Sequence, residues 1–190
     1  MSRKYELKRR AERQSETRNR IVAATVELHT SVGPARTTIS AIADRAGVQR
    51  HTVYAHFPDE QRLFQACSTH WRELHPLPDS GSWEDIPDPA RRLRAALQNV
   101  YAWYELVEDD LAIFSRDAGV HELTAELVDR RERAIGSLRA ALANGWPRRR
   151  AVQASIGHAL DFETWRSLTR RQGLTRKQAV DAMLSFVASV

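Results

Sequence analysis

The chain has 190 residues, 42% of them hydrophobic and 28% charged, with a formal net charge of +5. That is enough chain for one large domain or two small ones with a buried core, and the composition excludes a wholly disordered polymer. No apolar run approaches the roughly 18 residues of a membrane span, and the first, Ile21 to Val26, is too short for a secretory h-region of about 7–15 residues.

Residues 1–14 read as a basic N-terminal arm, since positions 1–20 hold eight Lys and Arg against three Glu. Such an arm suits nucleic-acid phosphates or an anionic membrane, and equally a solvated tail. Residues 1–60 carry a net charge of +4, residues 61–145 of −4 and residues 146–190 of +5. Ile21, Val22, Thr25, Val26 and Leu28 predict a first helix over roughly 15–31, which Gly33 and Pro34 terminate.

A helix-turn-helix pattern follows. Thr38 is a good N-cap for a helix that turns Ile39, Ile42, Ala43 and Ala46 inward. Gly47 supplies the tight turn, Val48 returns to the core, and a short second helix carries Val53 inward and ends at Phe57. Two helices joined by a Gly-containing turn match the motif whose second helix enters the DNA major groove. Residues 75–89, with four of the seven prolines, read as a loop. Leu93, Leu97, Val100, Tyr104 and Val107 predict a helix opened by Asp88 and Pro89. Leu123, Leu127, Ala134, Leu138 and Leu142 predict another, ended at Asn144, Gly145 and Pro147. Val152, Ile156, Ala159 and Leu160 begin a long helix closed by Gly173. The last starts from the capping pair Thr175 and Gln178 and carries Val180, Met183, Leu184 and Val187. No period-two alternation interrupts this, so the chain reads as all-α with about nine helices.

The exposed side of the second helix of the motif would be Gln49, Arg50, His51, Thr52, Tyr54, Ala55 and His56. Gln pairs with adenine and Arg with guanine, while Thr, Tyr and His donate to phosphates or touch thymine methyls. A merely polar solvent face accounts for the polarity but not for the spacing of Ala43, Gly47, Val48 and Val53.

Residues from about 15 to 64 resemble the TetR family of transcriptional regulators in Thr38, Ile42 and Ala43, Ala46 to Val48, Tyr54 and Phe57. The resemblance implies an N-terminal three-helix DNA-binding domain (15–60) and a larger helical regulatory and dimerisation domain (61–190). It assigns Thr38, Tyr54 and His56 to phosphates, and Gln49, Arg50, His51 and Thr52 to base edges or the backbone. Two departures stand out. Glu60 occupies the position where a Lys commonly reaches a phosphate, leaving Arg62 or the basic arm to compensate, and His51 stands where small residues are frequent. The family also implies a homodimer through the last two helices, about 148–172 and 175–190, whose apolar stripes pair with their symmetry mates.

Trp103, Tyr104, Phe114, His121, Phe162 and Trp165 are together the candidate lining of an effector pocket for a small apolar or aromatic molecule, although each taken singly reads more readily as a core residue. Asp117, His121, Glu163 or Arg116 would supply polarity. No nucleophile elbow, phosphate-binding loop or zincin motif occurs, so no enzymatic activity, cofactor or metal is expected. His51 with His56, and His70 with His75, are spaced i,i+5, which does not place two ligands on one helical face. The single cysteine, Cys67, makes no intramolecular disulfide and reads as a buried inert thiol, as expected of a cytoplasmic protein. The expectation is a ligand-responsive repressor on a palindromic double-stranded DNA operator. The alternative is a helical small-molecule-binding protein that no longer binds DNA.

Overall fold

The computed structural model describes residues 3–190, with side chains from Tyr5 onward. Met1 and Ser2 of the expected arm lie outside the described residues. Those described form ten α-helices and no strand. They are α1 (Arg3–Ser31), α2 (Ile39–Ala46), α3 (Arg50–His56), α4 (Glu60–Leu74), α5 (Gly81–Glu84), α6 (Pro89–Ala118), α7 (Glu122–Leu142), α8 (Arg150–Ala159), α9 (Phe162–Arg166) and α10 (Arg176–Ala188). A 3-10 turn, Pro34–Arg36, precedes α2, and a π turn, Ser167–Arg171, follows α9.

Two compact units arise. The first holds the residues up to Pro76 together with Asp109–Val128, and the second holds Leu77–Glu108 with Asp129–Val190. The first unit's core joins Ile21, Val22, Ala24 and Leu28 of α1 to Ile42, Ala43 and Ala46 of α2, Val53 of α3, Phe57, and Leu63 and Cys67 of α4. The expected division at 60/61 falls at the start of α4, whose buried side belongs to this N-terminal core. The corner between α6 and α7 is tied to the same unit. Asp117 accepts from the Ala35 N–H at 3.0 Å, and Arg116 donates to the Val32 carbonyl at 2.9 Å. Gly33, at φ 102°, passes so close to Arg116 and Asp117 that a Cβ there would collide with both.

Several predicted elements differ from those observed. Instead of beginning near residue 15, α1 is continuous from Arg3. The segment lacks an apolar stripe, but its Lys, Arg, Glu, Gln and Leu residues are strong helix formers, and Lys8 and Glu12 lie one turn apart at 3.9 Å. The proline-rich loop contains the single turn α5, which buries Trp83 completely. The predicted stripe of α6 is correct, with Leu93, Leu97, Val100, Tyr104 and Val107 all buried. Asp88 caps this helix through the Arg91 N–H at 2.6 Å. It runs on to Ala118, past a non-helical Val107 (φ −116°, ψ 15°) adjacent to where its residues change unit. In α7 only Leu142 of the predicted stripe is fully buried, and Thr124 and Ile135 take the interior positions. This helix also changes unit, between Val128 and Asp129, so no single stripe serves its whole length.

The long helix expected from Val152 to Gly173 is broken at Leu160. Asp161 caps a new start by accepting the Thr164 N–H at 2.9 Å. The carbonyls that the break releases are taken by tyrosines of α6. Tyr101 donates to Ala159 O at 2.8 Å and Tyr104 to Leu160 O at 2.6 Å. The last helix forms as predicted, with the reciprocal Thr175 and Gln178 capping box in place.

Candidate nucleic-acid interface

The motif is built by local chemistry. Thr38 accepts the Ala41 N–H at 3.2 Å and starts α2. Gly47 ends it in the left-handed region (φ 64°, ψ 43°), and the Val48 N–H reaches back to Ala43 O at 3.0 Å. That αL cap reverses the chain within a few residues and sets α3 across α2. Val53 is fully buried and Phe57 is 3% exposed, so α3 is anchored along one side and at its end.

The opposite side of α3 is free. Gln49, Arg50, His51, Tyr54 and Ala55 are exposed, with Thr52 and His56 half-buried at the flanks. Gln49 stands at the N-cap position, but its side chain makes no cap hydrogen bond. Tyr54 is 47% exposed although it is aromatic. Thr38, Gln49, Arg50, His51, Thr52, Tyr54 and His56 therefore share one small structural unit around α3. No acidic residue occurs from Arg45 to Pro58, so a polyanion meets no fixed negative charge from this stretch. Arg20 adds a cation that sequence spacing alone did not single out, because its guanidinium lies against the turn, 3.9 Å from where a Gly47 Cβ would stand.

Glu60 is engaged elsewhere. His121 Nδ1 accepts the Thr124 N–H at 3.2 Å, which leaves the proton on Nε2 to donate to Glu60 Oε1 at 3.0 Å. The pair spans 61 sequence positions, so no local pattern signals it.

The six aromatic candidates for an effector site fall into two groups. Tyr104, Phe162 and Trp165 pack together in the second unit with ring centroids 5.2–5.6 Å apart, and Trp103 lies 5.6 Å from Tyr104. Tyr104 and Phe162 also line a cavity of about 130 Å³ with Arg131, Ile135, Gly157 and Leu160. Trp165 is completely buried, and its indole N–H has no hydrogen-bond partner among the described residues. Phe114 and His121 belong to the first unit. Within that unit Phe114 meets Trp71 edge-on at 5.6 Å, and His121 pairs with Glu60. Burial pushes the Cys67 thiol up to about 12, as expected of an unreactive buried cysteine.

Residues 21–67 match the family described as bacterial regulatory proteins, tetR family. Over 104 residues the chain is 36% identical to the HTH-type transcriptional regulator TtgR of Pseudomonas putida, covering 54% of this chain and 49% of that protein. The chain thus spans about half the length of this curated relative. Among solved structures, NalD, the secondary repressor of the MexAB-OprM multidrug efflux pump in Pseudomonas aeruginosa, is 21% identical with a TM-score of 0.58, over 94% of this chain and 96% of that one. AibR in complex with isovaleryl coenzyme A and operator DNA has the same identity and TM-score, over 90% of this chain and 97% of that one. At this identity the likeness is one of fold. No described helix is long and apolar enough to cross a membrane.

Proposed function

We propose that this chain, whose residues 21–67 match the model of the bacterial regulatory proteins of the tetR family, is a ligand-responsive transcriptional repressor acting in the cytoplasm as a homodimer on a palindromic operator. The observation that carries this reading is the acid-free polar face of α3, anchored through Val53 and Phe57 and presenting Arg50, His51 and Tyr54 outward. Arg50, Gln49, His51 and Thr52 face base edges or the backbone, while Thr38, Tyr54 and His56 hold phosphates. The reading portion is residues 15–60, preceded by the basic arm 1–14, and regulation belongs to residues 61–190.

One such helix reads only a few base pairs, so two copies joined through 148–172 and 175–190 double the contacts at half-sites about 34 Å apart. The effector is a small apolar or aromatic molecule held near Trp103, Tyr104, Phe162 and Trp165. The unpartnered Trp165 N–H supports this, since a buried donor gains from an acceptor. Such a molecule releases the operator in proportion to its preference for the state with mismatched half-site spacing.

The test is fluorescence anisotropy on a duplex from just upstream of the protein's own gene, at two salt concentrations. Tight, salt-dependent binding is expected, with Arg50→Ala costing about 1–3 kcal/mol and relaxing sequence preference, and Tyr54→Phe weakening binding. Failure of the parent protein on both that duplex and a random-sequence library would overturn the reading. The account of a ligand-binding protein without DNA affinity, which Glu60 favours, would then stand.

A further inference from the structure

At position 60 the DNA-binding reading lacks a cation, and Glu60 is held by His121. We propose that the missing backbone contact is made from α1, by Arg18 together with His56 and Arg62, in a groove between α1 and α4 that takes a phosphodiester of the operator. This assignment rests on the DNA-binding reading and adds a phosphate subsite to it.

The groove has a volume of about 580 Å³ and is lined by Arg18, Asn19, His56, Phe57, Arg62 and Gln65, among others. His56 and Phe57 come from the end of the recognition helix, so the groove lies beside the face that would read bases. Arg18 is placed but unspent. Its guanidinium sits 4.8 Å from the centroid of the buried Phe57 ring, and it makes no hydrogen bond or ion pair with any described residue. A planar cation already oriented on a ring loses little freedom when it grips an oxyanion, and its fork matches two phosphate oxygens at once. Arg62 is only partly engaged, with Nε 3.4 Å from Asp59. Asp59 in turn accepts the Arg62 backbone N–H at 2.7 Å as the cap of α4. Glu73 is the acidic residue of the lining, three turns along α4 from Arg62, and it lies 3.7 Å from His70. The end of the groove near α3 is therefore cationic, and it offers a site for a monoanion with several acceptor oxygens.

The experiment is anisotropy of the full-length protein on one operator duplex and one scrambled duplex across a salt series. The parent is compared with Arg18→Gln, Arg18→Lys, Arg62→Gln and, as a control at the far end of the groove, His70→Gln. Arg18→Gln is expected to weaken both duplexes about tenfold, leaving their ratio intact, and to reduce the slope of log K against log salt by about one. Arg18→Lys keeps the slope while losing part of the affinity, because the charge remains and the planar fork is gone. Arg62→Gln moves in the same direction as Arg18→Gln, and His70→Gln changes neither quantity. Thermal unfolding of each variant separates lost packing on Phe57 from lost charge, since Arg18→Lys and Arg18→Gln both remove the guanidinium. An unchanged slope in Arg18→Gln, with the parent binding normally, overturns the assignment alone. Absence of DNA binding by the parent overturns the DNA reading and this assignment with it.

Discussion

His29 links residue chemistry to a measurable dependence on pH. Its ring lies 5.6 Å from that of Phe64, with Nδ1 3.5 Å from Cys67 Sγ, and the titratable groups that act on it are His121, Glu60 and Asp117. Burial, reinforced by His121 and opposed by the two carboxylates, lowers the imidazole from 6.5 to about 4. The unfolded chain therefore takes up a proton near pH 6.5 that the folded chain refuses until about pH 4. Stability falls as pH drops through that window, by on the order of 3 kcal/mol, and this group costs nothing further below it. Asp117 titrates in a different window. Burial raises its carboxyl, but the hydrogen bonds from Arg116 and Ala35 outweigh this and hold it below the usual carboxylate value. The stability it contributes is thus lost only at lower pH. Urea unfolding at pH 7 and at pH 4.5 should show a large loss in the parent and a much smaller one in His29→Leu. Equal losses would refute this origin of the acid sensitivity.

Among the elements, the broken corner between α8 and α9 shows how far local pattern reaches. The stripe of α6 was legible because each of its five positions obeys one helical repeat and all five point into one core. The Gly47 turn and the Thr175 cap were legible for the same reason, since each is decided within five residues. The break at Leu160 was not. Its released carbonyls are satisfied by tyrosines 56 and 58 positions away, a pairing that no local window contains. Distance in sequence also hid the contact between Glu60 and His121, and it scattered the six aromatic candidates over two units. In Tyr104→Phe the Leu160 carbonyl remains buried without its donor, so a loss of about 1–3 kcal/mol is expected. Asp161→Ala removes only an N-cap and should cost about 1 kcal/mol. The ordering is the decisive readout in denaturant titrations. A Tyr104→Phe variant as stable as the parent would show that the corner does not depend on this hydrogen bond.

For the whole molecule, charge and oligomeric state are coupled through opposite responses to salt. The segment proposed to pair with a second copy is net basic, +5 over residues 146–190. Part of this charge is neutralised within its own unit, by Arg170 against Glu108 at 2.6 Å and Arg176 against Glu105 at 3.4 Å. The residual like charge opposes self-association, so added salt should tighten the dimer by screening it. Operator binding should weaken in the same salt, because phosphate contacts release counterions. The apolar surface that would drive pairing includes Phe186, 43% exposed on α10, with Leu168 and Met183 half-buried. Phe186→Arg places a new cation where its symmetry mate would lie, without entering the monomer's core. Sedimentation velocity should find the parent dimeric and Phe186→Arg largely monomeric, with the variant regaining dimer as salt rises. Its operator affinity should fall with the dimer, since one recognition helix then works alone. A Phe186→Arg protein that sediments as a dimer at low salt would remove α10 from the interface and require another pairing surface to set the half-site spacing.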